Sequence, residues 1–276
     1  MSFTITTWNI NSVRLRIDLV TLFLKMYEPD VLCLQETKCP NDLFPFGAFK
    51  KIGYDHIAIA GQKGYNGVAI ISRHPLGAFD KRTMCGKDDA RHVSAVMGDG
   101  ANTASGKAAA GLTIHNVYVP AGGDIADPAL NVKFEHKLAF LAEMEAMAQT
   151  GLATRRVEVV VGDLNVAPLA HDVWSHKQLL DVVSHTPIET ETLERIRVTG
   201  AYVDAARHLT PEPEKLYSWW SYRAAEWESA NKGRRLDHIW TSADLESAIR
   251  KVDFFKTARG WEKPSDHVPV TLTLDL

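Results

Sequence analysis

A strand-rich pattern broken by a few amphipathic helices predicts an α/β fold for this chain of 276 residues, two packed sheets flanked by helices. Three observations carry that expectation. Short apolar runs bounded by turn residues recur at 4–9, 31–35, 67–72, 92–97, 112–119, 157–162, 236–242, 252–255 and 268–274, the mark of strands. Helical spacing appears only at intervals between them, which disfavours a strictly alternating βαβ fold. No Pro/Gly/Ser linker divides the chain and 45% of its residues are hydrophobic, enough for one sizeable core, so a single domain over 1–276 is expected.

The elements follow from local pattern. A helix is predicted over 13–27, where Leu15, Leu19, Leu22 and Met26 recur at helical spacing and Pro29 closes the segment. A second is predicted over 131–148 through Phe134, Leu138, Leu141 and Met144, with Ala142 and Ala146 as helix formers. The segment 101–111 reads as a surface hairpin loop between two strands. The run Val157-Glu158-Val159-Val160-Val161-Gly162-Asp163-Leu164-Asn165 reads as a strand buried on both faces that stops in a carboxylate and an amide. Alternation along the strand turns Asp163 and Asn165 to the same side.

Composition narrows the function. A formal net charge of -3 gives no general attraction for nucleic acid, so a phosphate partner must be held locally. Three cysteines, Cys33, Cys39 and Cys85, show neither disulfide nor zinc spacing. The apolar runs are too short to cross a bilayer and Met1-Ser2-Phe3-Thr4-Ile5 leads directly into a strand without a signal-peptide layout, so a cytoplasmic protein without membrane association is expected.

Four further segments place polar residues where an apolar strand begins or ends: Trp8-Asn9-Ile10-Asn11, Leu34-Gln35-Glu36-Thr37-Lys38, Arg235-Leu236-Asp237-His238 and Ser265-Asp266-His267. Asn or Asp at a strand end commonly serves only to cap a turn. Five such ends in one chain point instead to a shared site of Asn9, Asn11, Glu36, Asp163, Asn165, Asp237, Asp266 and His267. Oxygen donors dominate that set, which suits a hard cation such as Mg²⁺ completed by waters and a phosphate. Asp266 and His267 are adjacent in an extended segment, so they face opposite ways. Phosphoester hydrolysis needs such a concentration of groups, because one general acid or base supplies only about 10²–10⁴ of the required acceleration.

In order and spacing these motifs, together with Asn116-Val117-Tyr118-Val119-Pro120, resemble the exonuclease III group of the endonuclease/exonuclease/phosphatase superfamily over nearly the whole chain. The resemblance implies a four-layered α/β sandwich of two mainly antiparallel sheets, and a DNA repair nuclease that uses Mg²⁺, or Mn²⁺, to incise at abasic sites and to trim or unblock 3′ ends. By position, it makes Glu36 the chief metal ligand, assisted by Asn9, Asn11 and Asp266. Asp163 would orient or deprotonate water, Asn165 would hold water and phosphate, and His267 paired to Asp237 would donate to the phosphate. Either Asp163 or His267 remains open as the base. Tyr118 would contact the phosphate or the leaving oxygen, and Lys38, Trp219, Trp220, Arg234 and His185 are the candidate contacts to double-stranded DNA. A monomer is expected.

Three positions depart from the family pattern. Ala121 stands where relatives often carry an amide, Arg234 replaces an apolar residue lining the abasic-sugar pocket, and 167–199 differs in a region that helps open the duplex. Two rival readings keep the same fold: a phosphatase or phosphodiesterase acting on inositol phosphates or lipid head groups, and a catalytically inactive binding module.

Overall fold

The computed structural model describes residues 1–224 and 226–276. Its first half runs β1 (Ser2–Asn9), α1 (Ile17–Tyr27), β2 (Val31–Gln35), α2 (Phe46–Lys50), β3 (His56–Ala60), β4 (Val68–Ser72), β5 (Leu76–Asp80), β6 (His92–Met97), α3 (Ala104–Ala108) and β7 (Thr113–Tyr118). The second half runs α4 (Val132–Ala153), β8 (Glu158–Asp163), α5 (His176–Leu179), α6 (Pro187–Thr199), β9 (Tyr202–Asp204), α7 (Ala205–Leu209), α8 (Trp227–Ala230), β10 (Asp237–Ser242), β11 (Ile249–Phe254) and β12 (Val270–Asp275).

The strands form two six-stranded sheets, ordered β11-β12-β1-β2-β4-β3 and β5-β6-β7-β8-β10-β9. Each has one parallel pair at its centre, β1 with β2 and β7 with β8, and is otherwise antiparallel. The sheets pack face to face through alternate residues: Phe3, Ile5, Cys33 and Ile70 of the first meet Val93, Ile114, Val159, Val161 and Ile239 of the second. The opposite faces are covered by helices, since Trp8, Leu32 and Leu34 pack on Val20, Phe23 and Leu24 of α1. On the other side Val117, Val160 and Trp240 pack on Phe140, Leu141 and Met144 of α4 and on Leu193 and Ile196 of α6. The result is the four-layered α/β sandwich that the motifs implied, and β8 is buried on both faces along its whole length. Within the interface a polar link joins the sheets: Gln35 Nε2 donates to Asn116 Oδ1 at 2.7 Å, and Asn116 Nδ2 donates to the carbonyls of Leu34 and Ala69.

Several sequence expectations need correction. The first helix begins at Ile17 rather than residue 13, because Asn11 and Ser12 have positive φ and turn the chain out of β1 before a helix can start. Its buried stripe is Val20, Phe23 and Leu24, whereas Leu15, Leu22 and Met26 of the expected stripe are exposed. The expected loop at 101–111 holds the short helix α3, started by Thr103, whose side chain accepts from the Gly106 N–H. Helix α6 has a capping box in Thr186-Pro187-Ile188-Glu189, a sequence signal that the reading passed over.

Candidate active site

Both sheets end at one edge in the polar residues singled out above. In the second sheet Tyr118 lies opposite Asp163 across β7 and β8, and Asp163 lies opposite Asp237 across β8 and β10, so the three form one row. In the first sheet β1 ends at Asn9, paired with Gln35 just before Glu36. The sheets' close packing sets these two rows against each other.

Asn9 joins them. Fully buried, its Nδ2 donates both to Glu36 Oε1 at 3.0 Å and to Asp163 Oδ2 at 2.8 Å, while its Oδ1 accepts from the Asn11 N–H at 3.1 Å. Asp163 Oδ1 accepts from the backbone N–H of Asn165 at 3.0 Å, and Oδ2 also accepts from Asn165 Nδ2 at 3.2 Å. Asn165 Nδ2 further donates to the Val119 carbonyl at 2.9 Å, which fixes the amide beside the carboxylate.

His267 lies between two carboxylates, with Nδ1 2.8 Å from Asp237 Oδ2 and Nε2 3.6 Å from Asp163 Oδ2. Burial opposes charge on its imidazole, but Asp237 and Asp163 outweigh that effect and push the pKa up to about 10. Burial raises the Asp163 carboxyl to about 7, with the His267 cation opposing the rise and Asp237 adding to it. Asp237 is positioned by Ser218, whose Oγ accepts from its backbone N–H at 3.0 Å, while Asp237 Oδ1 is buried with no hydrogen-bond partner among the described residues.

Around Glu36, Lys38 Nζ approaches Oε2 at 2.8 Å. Burial acts to raise the Glu36 carboxyl, and the Lys38 charge and hydrogen bond reverse this and hold it below the ordinary carboxylate range. Asp266 points away from His267, as alternation requires: its Oδ1 accepts from Asn11 Nδ2 at 3.2 Å and its Oδ2 from Trp219 Nε1 at 2.9 Å. Burial, and then the Glu36 and Asp163 carboxylates, push the Tyr118 phenol well above its usual value, so it is held as a donor; the Arg91 guanidinium lies 4.8 Å from its ring centre.

A model of the endonuclease/exonuclease/phosphatase family matches residues 6–267, from β1 to His267. The chain belongs to the endonuclease/exonuclease/phosphatase family. Over 270 residues it is 30% identical to exodeoxyribonuclease III of Haemophilus influenzae, covering 96% of this chain and 97% of that one. Among solved structures it resembles an AP endonuclease from Archaeoglobus fulgidus, with a TM-score of 0.87, 32% identity and coverage of 99% and 100% of the two chains. A 3′ phosphatase from Neisseria bound to a product DNA hairpin matches with the same TM-score, 29% identity and the same coverage.

Within this family fold the nine expected catalytic and metal-ligating residues, Asn9, Asn11, Glu36, Tyr118, Asp163, Asn165, Asp237, Asp266 and His267, converge, as does Lys38. Two of the DNA-contact candidates do not. Trp220 is 1% exposed, packs on Tyr217, Val268 and Trp227, and donates its indole N–H to Asn231, so it is core. His185 is 1% exposed with both ring nitrogens engaged, one by the Ala167 carbonyl and one by His176, so it serves the 167–199 segment internally. Trp219 and Arg234 line the rim: the Arg234 guanidinium lies 5.4 Å from the Trp219 ring centre and donates to the Val183 carbonyl and Ser184 Oγ.

Sequence reasoning missed four supporting residues. Ser218 and Ser265 hold Asp237 and His267 through their hydroxyls, Tyr222 binds Asn11 and Arg16, and Lys137 reaches the backbone of Asn165 from α4. Ser265 sits inside a recognised motif; the others carry no local signal.

Two groups offer metal-ligating atoms. Asp163, Asp237 and His267 present ligand atoms within 4.8 Å of one another and are all buried. A cation among them would have to displace the proton of an imidazole that two carboxylates hold charged. Glu36 and Asp266 instead present only oxygen and are partly open to solvent, with Asn9 and Asn11 between them, which fits a hard cation that keeps several waters. No helix among the described residues is long and apolar enough to cross a membrane.

Proposed function

We propose that this protein is a Mg²⁺-dependent DNA repair phosphoesterase that hydrolyses phosphoester bonds at 3′ ends and abasic sites of double-stranded DNA, acting as a monomer. The observation that carries the reading is the meeting of Asp163 with Asn9, Asn165 and His267 at one point, next to a separate oxygen-donor group centred on Glu36. The family membership and the relatives named as exodeoxyribonuclease III, AP endonuclease and 3′ phosphatase support the DNA substrate.

In this reading Glu36 and Asp266 hold the cation, with Asn9 and Asn11 orienting their carboxylates and lending oxygen. A cation held by these residues would supply positive charge to polarise the phosphoryl oxygens and offset their charge. Asp163 takes the proton of the attacking water, and Asn165, whose two Nδ2 hydrogens go to Asp163 and the Val119 carbonyl, offers its Oδ1 as acceptor to that water. Because Nδ1 of His267 is tied to Asp237, its Nε2–H is the group left to donate to the phosphate as negative charge develops. Tyr118, held protonated, donates on the leaving-group side. Lys38, Trp219 and Arg234 contact the DNA around the scissile bond.

The test is a substrate panel with Mg²⁺: duplexes carrying an internal abasic site, a 3′-phosphate or a recessed 3′ end. Cleavage of at least one, abolished by EDTA and restored by Mg²⁺ or Mn²⁺, is expected. Failure to cleave any of the three refutes the proposal.

A further inference from the structure

Lys137 on α4 is fully buried, an expensive place for an ammonium unless it performs a task there. It is ion-paired with Glu189, also fully buried. Glu189 itself closes the capping box of α6, accepting from the Ser184 and Thr186 N–H groups and from Thr186 Oγ1. The other contacts of Lys137 Nζ are to two backbone carbonyls, Asn165 O at 2.7 Å and Ala121 O at 3.4 Å. These carbonyls belong to the segments that leave β8 and β7, just beyond Asp163 and Tyr118. The lysine stem reaches them past Gly122, at φ +90°, where an added Cβ would stand 2.9 Å from Lys137 Cδ.

Asn165 needs such a hold. It has φ +52°, in the left-handed region that L residues rarely adopt, and its side chain must lie beside Asp163. The carbonyl of this buried residue accepts from Lys137 and, among the described residues, from no backbone N–H, so it would lose its partner if Lys137 were absent. We propose that Lys137 is a positioning residue for catalysis: by binding the Asn165 carbonyl it fixes the left-handed turn after β8 and so holds the Asn165 amide against Asp163. Glu189 is the counter-ion that lets the ammonium stay buried, and through it the start of α6 is tied to the exit of β8.

The kinetic part of this inference rests on the phosphoesterase reading above, and the experiment separates the two. Lys137→Met fills the same space without a donor; Glu189→Gln removes the counter-charge and leaves the Lys137 donor in place. On a 3′-phosphate duplex, Lys137→Met is expected to lower kcat per folded molecule by about 10- to 100-fold with KM within about twofold. Glu189→Gln is expected to lose stability and to lower kcat per folded molecule less than Lys137→Met does, because the amide oxygen still accepts from the Lys137 ammonium and the donor to Asn165 remains. Wild-type kcat in Lys137→Met overturns the proposal. So does a loss of activity in both variants that follows the folded fraction alone, since that is a structural role. If Lys137→Met does not fold, the double variant Lys137→Met, Glu189→Met, which removes both charges together, replaces it with the same expected loss of kcat. If the wild type cleaves no substrate, the functional reading falls and the inference is judged by a crystal structure of the variant. A displaced Asn165 amide supports it, and an Asn165 still left-handed and bonded to Asp163 overturns it.

Discussion

Replacing Asp163 by Asn changes one oxygen to an NH₂ group at the most crowded point of the site. Four donors face the carboxylate: Asn165 N–H at 3.0 Å on Oδ1, and Asn9 Nδ2 at 2.8 Å, Asn165 Nδ2 at 3.2 Å and His267 Nε2 at 3.6 Å on Oδ2. Placed with its NH₂ at the Oδ2 position, the new amide would confront three donors. Turned over, it confronts only the Asn165 N–H, so the turned-over form wins. One buried donor then lacks an acceptor, at a cost of about 1–3 kcal/mol. Removing a buried carboxylate whose ionisation burial already opposes offsets part of that cost. Stability should therefore fall by no more than about 2 kcal/mol, a few degrees in Tm. Catalysis should fall far more, because an amide cannot take a proton from water. The loss of a base is worth about 10²–10⁴ in kcat, or roughly 3–5 kcal/mol of barrier. DNA binding should hold or tighten, since a negative charge facing the phosphate is gone. The assay is single-turnover cleavage of a 3′-phosphate duplex, with fluorescence anisotropy for binding without divalent metal. A kcat within tenfold of wild type, or a matching loss of binding, refutes the role given to Asp163.

Glu36→Ala should raise the Mg²⁺ concentration for half-maximal turnover by about tenfold or more, and an unchanged Mg²⁺ titration refutes the ligand assignment. Trp220→Ala should lower unfolding free energy by about 3–5 kcal/mol in urea melts while leaving the ratio of rates on the three DNA substrates unchanged; a selective change would show that this buried indole does more than pack. At Asp172, burial acts to raise the carboxyl, but Arg235 and Arg207 outweigh it and hold the group below the ordinary range. A depressed carboxyl contributes stability that is complete above its unfolded pKa, about 3.9, and is lost as pH falls through the folded value. Asp172→Asn should therefore cost about 3–5 kcal/mol near pH 7, and less as pH drops below about 4. Urea midpoints measured against pH check this, and a gap as large at pH 3 as at pH 7 contradicts it.

The interior of the fold was legible in the sequence and its margins were not. Residues 31–35, 92–97 and 157–162 read as strands because both their faces are buried, and β2, β6 and β8 lie there. The strands passed over, β3, β5 and β9, are all at sheet edges, and β11, the fourth edge, was found only in part. An edge strand needs little apolar alternation: β5 is mostly exposed and has no pattern to show. The site was legible for a related reason, since its polar residues interrupt the most regular apolar runs. Lys137 was hidden for the opposite reason, because within a helix one lysine looks like surface until the fold turns it inward. His185 and Trp220 misled because His and Trp serve buried networks as readily as binding surfaces.

A polar strand end at this site caps a turn and still presents a polar atom to the candidate site, so the capping role and the proposed chemical role do not exclude each other. Asn9 Oδ1 accepts the N–H of Asn11, Asp163 Oδ1 that of Asn165, and Ser265 Oγ that of His267, each two residues on. These are the local bonds by which Asn, Asp and Ser ordinarily close turns. In Asn9 and Asp163 the second polar atom reaches across the sheets, Nδ2 meeting Oδ2 at 2.8 Å. Ser265 completes the circuit by donating to the Asn9 carbonyl at 2.6 Å, which ties the His267 turn to the Asn9 turn. Every turn thus fixes the direction of its own reactive side chain. Asn11, Glu36, Lys38 and Asn165 all have φ near +50°, so the chain bends sharply as it leaves these strands and keeps the next polar residue at the site. A serine or asparagine here is therefore both cap and positioning group, and replacing one should disturb turnover and local stability together. Ser265→Ala, which touches neither substrate nor metal in this arrangement, is the sharpest case: it removes the acceptor for the His267 N–H and the donor to Asn9 in one step.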